Sequence, residues 1–186
     1  MKNEKLLLHC CCAPCSTVAF ERLLPQYQTT AYYYNPNIYP KTEYIKRYQD
    51  LERYTALKEV SVVLGMYETA NWSKEVEEPD HEERFIEGGE RCQHCYRFRL
   101  SETAKKAVAE GYQWFGTTLT VSPHKDSAVI NAIGQDIAKQ YGVSFMDIDL
   151  KENKGYHRSI LLSKEAGLYR QKYCGCQKSL LNSARA

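Results

Sequence analysis

An apolar run leads directly into four cysteines near the start of the chain: Leu6-Leu7-Leu8-His9-Cys10-Cys11-Cys12-Ala13-Pro14-Cys15-Ser16. The leucines predict a buried strand over residues 5–9, and Pro14 predicts the first turn of a helix. Because side chains alternate between the two faces of a strand, three consecutive thiols cannot all face one way within it. We therefore expect the cysteines where the strand ends, at the carboxyl edge of a sheet, which is where open α/β folds bind ligands.

The rest of the sequence alternates between predicted strands and predicted helices. Hydrophobic patterning predicts further strands over 29–34, 60–66, 112–120 and 143–148, and helices over 14–24, 42–58, 92–110, 127–141 and 156–165. We expect a short helix and a loop within 68–90, and a polar tail after Cys176. This order implies right-handed crossovers. The prediction is an α/β fold with an open, Rossmann-like, mostly parallel sheet flanked by helices, in one domain spanning residues 1–186.

Composition limits the classes of protein to which the chain can belong. Of its 186 residues, 43% are hydrophobic, which is enough for a packed core. The mean hydropathy is -0.58, and no apolar run approaches the ~18 residues of a membrane-spanning helix. We therefore expect a cytoplasmic protein with no membrane partner.

All eight cysteines lie in three tight clusters, since the first is joined by Cys92-x-x-Cys95 and Cys174-x-Cys176. Clustered cysteines in a reducing cytosol bind metal or perform redox chemistry more often than they form disulfides. Simple burial of thiols is the alternative, but adjacent cysteines would gain nothing from burial that alanine or valine could not supply. The pattern predicts a metal centre at the carboxyl edge of the strands, assembled from distant parts of the chain.

The spacing leaves several kinds of cysteine chemistry open. Cys12-x-x-Cys15 lies at the start of a predicted helix, where the helix dipole favours the thiolate form of a cysteine. The two residues could be a thiol-disulfide oxidoreductase pair, but this would leave the other six cysteines unexplained. A structural zinc site is the usual interpretation of two closely spaced cysteine pairs. The surplus of ligands and the position at a sheet edge instead favour a redox centre that is polynuclear or consists of two neighbouring metals.

Charge is distributed unevenly along the chain, although the net charge is only +2. Residues 75–90 hold eight acids against Arg84 alone, whereas residues 151–186 hold eight Lys or Arg against two Glu. A solvated helix face could explain either run. The basic C-terminal segment also suits an anionic partner such as RNA. The candidates for phosphate contacts are Arg158, Lys164, Arg170, Lys172 and Lys178.

Five longer motifs follow one another along the chain: His9-Cys10-Cys11-Cys12-Ala13-Pro14-Cys15, Tyr34-Asn35-Pro36-Asn37-Ile38, Glu87-Gly88-Gly89-Glu90-Arg91-Cys92-x-x-Cys95-Tyr96, Gly116-Thr117-Thr118-Leu119-Thr120-x-Ser122-Pro123-His124-Lys125-Asp126 and Tyr169-Arg170-Gln171-x-Tyr173-Cys174-Gly175-Cys176. In this order they resemble the QueH family of cobalamin-independent epoxyqueuosine reductases. The resemblance covers residues 5 to 180, and several of the motifs are long enough to be specific.

The resemblance implies reduction of the epoxide of epoxyqueuosine to the alkene of queuosine at the wobble position of a tRNA anticodon. It also implies a 4Fe–4S cluster and an adjacent mononuclear iron, no cobalamin, and an external electron donor such as flavodoxin or ferredoxin. The implied metal ligands are Cys11, Cys12, Cys15, Cys92, Cys95, Cys174 and Cys176, and all of these except Cys15 are candidate cluster ligands. Some relatives have Asp at the position of Cys15, which favours this residue as a ligand of the single iron. The family pattern leaves Cys10 free, so it can be a packed thiol.

Removal of an epoxide oxygen also requires a proton donor. We name His9, His124, Lys125 and Asp126 as candidate catalytic residues, with Tyr34 as a further candidate donor. His9 could equally be a satisfied histidine at the sheet edge, and Asp126 or Ser122 could simply cap a helix. A flipped anticodon base could stack on Tyr32, Tyr33, Tyr34 or Tyr39.

Two other classes of protein share parts of this pattern. A tRNA thiolase of the PP-loop ATPase type would begin with a similar strand, loop and helix, but it needs a glycine-rich phosphate loop where this chain has Cys-Cys-Cys-Ala-Pro-Cys. A non-enzymatic zinc-knuckle module that binds RNA is the other alternative. It predicts a colourless protein without redox activity.

Overall fold

A computed structural model describes residues 4–77 and 86–183 of the chain. The described residues contain five parallel strands in one sheet, in the order β3-β2-β1-β4-β5. Their bounds are β1 Lys5–His9, β2 Gln28–Tyr33, β3 Ser61–Leu64, β4 Trp114–Thr117 and β5 Ser144–Phe145. The predicted α/β fold with an open parallel sheet is confirmed.

Seven α-helices lie in the described residues. They are α1 Ala13–Leu23, α2 Lys41–Leu57, α3 Thr69–Trp72, α4 Glu90–Ala109, α5 Ser127–Tyr141, α6 Gly155–Glu165 and α7 Gln177–Ser183. A π-helical turn at Ser73–Glu77 extends α3, and a 3₁₀ turn at Leu119–Val121 follows β4.

The sheet separates two apolar layers, as the alternation of side chains along a strand requires. Leu6 and Leu8 of β1 belong to the layer covered by α1 and α2, with α6 packed against α1. Leu7 belongs to the opposite layer, which α4 and α5 cover. All three leucines are at most 1% exposed, so β1 is the buried centre of the molecule.

The carboxyl ends of β1 and β4 form the switch point of the sheet. From β1 the chain crosses to β2 on one side, whereas β4 pairs with β1 on the other side, in register His9 to Thr117. The two connections therefore diverge here and leave a crevice at the edge where such folds bind ligands.

Three predicted elements differ from the structure. The strand predicted over 112–120 ends at Thr117, because the backbone turns into the 3₁₀ turn that closes the crevice. The strand predicted over 143–148 is paired only at Ser144–Phe145, and β5 is an edge strand. The residues after Cys176, predicted as a polar tail, form helix α7.

Residues 78–85, which hold part of the acidic stretch and of the helix and loop predicted over 68–90, lie outside the described residues. The preceding part of that segment is helical, as predicted. Across residues 4–77 and 86–183, no helix is both long and apolar enough to cross a membrane.

Candidate metal centre

Three thiols converge at the point where β1 ends and α1 begins. Cys12 is the N-cap of α1 and Cys15 lies in its first turn. The Sγ atoms of Cys11, Cys12 and Cys15 all lie within 4.8 Å of one another. Among the residues that the structure describes, this is the only group of three or more His, Cys, Asp or Glu side chains that meets the geometry for one metal ion.

The spacing of this cysteine triad suits a single thiolate-bound ion. The Sγ atoms of Cys11 and Cys12 are 3.8 Å apart. Two thiolates bound tetrahedrally at about 2.3 Å from one ion would be separated by about 3.8 Å. Three ligands would leave a coordination position for a small molecule, which is typical of catalytic metal sites.

Electrostatics in the triad favour one thiolate before a metal binds. Hydrogen bonds from the Cys12 and Cys15 thiols, against the effect of burial, lower the pKa of Cys11 well below its usual value. The same interactions with Cys11 raise the pKa of Cys15, and they raise that of Cys12 to about 12. The N-terminus of α1 adds a favourable dipole. Cys12 and Cys15 therefore lose their thiol protons only when a bound cation compensates the added negative charge.

The remaining four cysteines form a second group, which we call the cysteine tetrad: Cys92, Cys95, Cys174 and Cys176. Cys92 and Cys95 lie one turn apart in the first part of α4, and the other two lie on the turn before α7. Burial, together with the charges of Cys174, Cys95 and Cys176, raises the pKa of Cys92 to about 12. Three of the four thiols are buried, and Cys174 is partly buried.

The Sγ atoms of the tetrad, unlike those of the triad, do not all lie within 4.8 Å of one another. Wider spacing is what a polynuclear cluster needs, because each thiolate then binds a different metal atom. Cys176 also accepts hydrogen bonds from Arg91 Nη1 and from the backbone N–H of Ser179, each at 3.4 Å. These donors stabilise its thiolate form.

A buried arginine on α2 holds the turn that carries half of the tetrad. Arg47 donates to the carbonyl oxygens of Cys174 at 3.0 Å and Tyr173 at 3.3 Å. Its Nε donates to Glu43 at 2.7 Å, and the Arg47 side chain is 1% exposed. The turn itself requires Gly175, whose φ is +141°.

One cavity of about 330 Å³ connects the two groups of cysteines. Cys11 and Cys15 of the triad line it, as does Cys174 of the tetrad. Among the described residues, four cationic side chains and one acidic side chain also contribute to the walls, namely Arg99, Lys125, Arg170, Lys172 and Glu87. The cavity is therefore an electropositive site at the switch point of the sheet, suited to an anionic substrate.

Among the candidate proton donors, Lys125 is the one that is both buried and part of the cavity wall. It is 8% exposed, and its Nζ lies 3.6 Å from Glu87 Oε1. Burial alone would lower the pKa of Lys125, but the charge of Cys174, together with Tyr96, Glu87 and Cys11, raises it. The ammonium group is therefore charged and faces sulfur-rich surroundings.

The other predicted catalytic residues differ in their placement. His124 is exposed and lines the cavity. Asp126 does not line it but caps α5 and accepts from the backbone N–H groups of Ala128 at 2.8 Å and Val129 at 3.4 Å. The capping interpretation therefore fits Asp126, because its carboxylate is already used.

His9 is fully buried and does not line the cavity. Its Nε2 lies 3.1 Å from the carbonyl oxygen of Tyr34, and its Nδ1 lies 3.0 Å from Thr117 Oγ1. Burial and the charge of Arg99 lower the pKa of His9 to about 4, so its ring is neutral. The structure places His9 as a satisfied histidine beneath the site rather than as a donor within it.

Cys10 is part of the apolar core and does not line the cavity. It is 0% exposed, and its thiol donates to the carbonyl oxygen of Leu8 at 3.3 Å.

Most of the tyrosines named for base stacking are not accessible to a base. Tyr32, Tyr33 and Tyr34 are buried, whereas Tyr39 is 48% exposed.

Two basic residues of the C-terminal segment serve the fold. Lys151 Nζ donates to the carbonyl oxygen of Lys125 at 2.9 Å and so anchors the loop that carries it. Arg158 pairs with Glu21 at 2.6 Å on the surface. A count of charges along the sequence cannot separate such internal pairs from a binding surface.

Residues that sequence reasoning missed support the two cysteine groups. Arg47 holds the Cys174 turn, Arg99 lies between the groups, and Gln171 Nε2 donates to Cys12 Sγ at 3.0 Å. Gln171 lies within the last of the five motifs, so the sequence offered a signal for it. Arg47 and Arg99 lie on polar helices, where an arginine usually indicates a solvent-exposed face. Only their burial, at 2% exposure each, reveals their role.

Comparisons with known proteins identify the family to which the chain belongs. The family model described as epoxyqueuosine reductase QueH matches residues 6–182. Proteins named epoxyqueuosine reductase QueH from Staphylococcus epidermidis and Staphylococcus aureus are 39% and 40% identical over 181 residues, which is 94% of this chain and 76% and 75% of theirs. The Thermotoga maritima protein of that name is 36% identical over 178 residues, covering 95% of this chain and 90% of its own. The chain therefore belongs to the QueH family of epoxyqueuosine reductases, which are oxidoreductases.

Proposed function

We propose that this protein reduces epoxyqueuosine to queuosine at the wobble position of a tRNA anticodon. In this reaction both C–O bonds of the epoxide break and a C=C bond forms. Two electrons and two protons are consumed, and the oxygen leaves as water. The observation that carries the proposal is the cavity that the triad and the tetrad share, because such a reaction needs an oxygen-binding metal and an electron source side by side.

The donor sets suggest how the two metals are divided. The triad of Cys11, Cys12 and Cys15 would hold the mononuclear iron, since its thiols have the spacing for one ion. The tetrad would hold the 4Fe–4S cluster with four thiolates. When bound, the iron would supply a Lewis acid for the epoxide oxygen, and the cluster would supply electrons one at a time.

Lys125 is the residue that we propose as the proton donor. Its buried ammonium faces the cavity, and the surrounding negative charges keep it protonated. Glu87 holds the Nζ group in position from 3.6 Å. A donor placed in this way can protonate the oxygen as it leaves carbon, which is ordinary general acid catalysis.

Basic side chains at the mouth of the cavity would bind the tRNA. Arg170 and Lys172 line it, and Arg170 Nη1 is held by Ser163 Oγ at 3.2 Å. Guanidinium and ammonium groups neutralise backbone phosphates. In this proposal the chain acts as one domain, in which the basic segment 151–186 completes the site, and an external flavodoxin or ferredoxin supplies the electrons.

An assay on epoxyqueuosine-containing tRNA tests the proposed function. The protein is purified anaerobically, reduced chemically, and mixed with this tRNA, and the nucleosides are then analysed by mass spectrometry. We expect the nucleoside to lose one oxygen atom, with no cobalamin added. Binding of tRNA without any loss of oxygen by a fully iron-loaded protein would overturn the proposal in favour of an RNA-binding module.

A further inference from the structure

One face of α4 carries both cysteines of its metal-binding motif and two further polar residues. Cys92, Cys95, Tyr96 and Arg99 stand at positions i, i+3, i+4 and i+7, which share a face of an α-helix. Tyr96 is 3% exposed and Arg99 is 2% exposed. Two buried polar side chains thus accompany two buried thiols on the same helical stripe.

Each of these polar side chains has a buried atom without a partner. Among residues 4–77 and 86–183, no hydrogen-bonding group reaches the hydroxyl of Tyr96 or the Nη2 of Arg99. The rest of the Arg99 guanidinium is fixed, since Nη1 donates to Asn35 Oδ1 at 3.2 Å and Nε donates to the carbonyl oxygen of Cys95 at 3.4 Å. Buried donors without acceptors are rare in proteins and call for an explanation.

Both side chains lie beside cysteines of the tetrad. Tyr96 belongs to the same cluster of buried side chains as Cys92, and the Arg99 guanidinium is anchored on the backbone of Cys95. The charges of Cys95 and Cys174 act on Arg99, and those of Lys125, Cys92 and Cys174 act on Tyr96. The orphaned donors therefore belong to side chains that border the tetrad.

We propose that Tyr96 and Arg99 donate hydrogen bonds to the sulfur atoms of the cluster held by the tetrad and thereby set its reduction potential. This inference rests on the proposed function. Reduction adds negative charge to the cluster, and hydrogen bonds and a neighbouring cation stabilise that charge. The two residues are tuning residues that act through the cluster, although Arg99 also forms part of the cavity wall.

The test is an anaerobic redox titration of the iron-loaded protein, followed by electron paramagnetic resonance of the reduced cluster. Tyr96→Phe removes one hydroxyl that has no protein partner and keeps the ring. We expect the midpoint potential to become more negative in Tyr96→Phe, and to fall further in Arg99→Gln because a charge is lost as well. Tyr48→Phe is the control, since its hydroxyl donates to Glu52 in an exposed hydrogen bond within α2, and it should leave the potential unchanged.

Thermal unfolding of the metal-free chain separates tuning from support of the fold. Tyr96→Phe should unfold at the same or a higher temperature than the parent, because it removes a buried donor with no protein acceptor. An unchanged potential in Tyr96→Phe at full iron and sulfide content would overturn the inference while the proposed function stands. A parent protein without iron and sulfide would overturn both, so the two failures are distinguishable.

Discussion

The guanidinium of Arg47 donates to the carbonyl oxygen of Cys174 at 3.0 Å and so joins two residues that are 127 positions apart. Arg47 lies within α2, whereas Cys174 lies on the turn before α7. The Arg47 side chain is nearly inaccessible to solvent. Assembly of the tetrad therefore depends on the packing of a helix that contributes none of its ligands.

Substitution Arg47→Gln should destabilise the metal-free chain by about 3–5 kcal/mol, because it leaves the Glu43 carboxylate without its buried partner and frees the turn. Lys105→Gln is the matched control, since it breaks a surface pair with Glu102 in which the lysine side chain is 51% exposed. That change should cost about 0–1 kcal/mol. Urea unfolding of both variants measures the difference. Equal losses would contradict a special role for the buried arginine.

Gly175→Ala should both destabilise the chain and reduce its iron content. A φ of +141° costs an L-residue about 1–3 kcal/mol. An added Cβ would also lie 3.0 Å from Ile38 and 3.3 Å from Arg47, which would displace the flanking cysteines. Gly111→Ala provides the control, because its φ is +71° but a Cβ there meets nothing within 4 Å. Iron analysis and thermal unfolding should show strain in both variants but metal loss only in Gly175→Ala.

Replacement of single cysteines should separate ligands from packing. Cys92→Ser should abolish cluster binding, because a serine hydroxyl is a poor substitute for a thiolate. Cys10→Ser should keep its iron and sulfide, since Cys10 lies in the core and a hydroxyl can still donate to Leu8. Metal and sulfide analysis of both variants provides the comparison. An inactive Cys10→Ser protein with intact metal content would show that Cys10 has a role beyond packing.

Lys125→Gln should lower the single-turnover rate by about 10²–10⁴-fold, because it removes the proposed general acid. His124→Gln changes the neighbouring exposed residue of the same cavity and should change the rate by less than about 10-fold. Rapid-quench measurements on prereduced protein, with iron and sulfide quantified in parallel, test this difference. A larger loss in His124→Gln would transfer the role of donor to the histidine.

Much of this architecture follows from local patterns. The leucine run before the cysteines predicts β1 at its observed bounds, and the hydrophobic pattern over 127–141 predicts α5 in the same way. The first signal is strong because a short, continuous apolar run suits a strand buried on both faces, and the second because apolar residues repeat with the helical period. The same reasoning predicts that the triad lies at the carboxyl edge of the sheet.

Other features depend on contacts that are distant in sequence. The early end of β4 at Thr117 reflects its side chain, which bonds both His9 and the backbone N–H of Leu119. The burial of Arg99 arises from its fit between Asn35 and Cys95, which no spacing reveals. Helix α7 begins just after Cys176, whose carbonyl oxygen accepts a hydrogen bond from the N–H of Leu180. The turn that holds Cys174 and Cys176 therefore leads directly into a helix.

The division of seven cysteines into a triad for one iron and a tetrad for a cluster is tested most directly by elemental analysis of anaerobically purified protein. Iron, zinc and acid-labile sulfide are measured per chain, together with the visible spectrum. We expect a brown protein that contains more iron than sulfide, since a 4Fe–4S cluster is accompanied by one further iron. A colourless protein with stoichiometric zinc and no sulfide, even after anaerobic reconstitution with iron and sulfide, would contradict it.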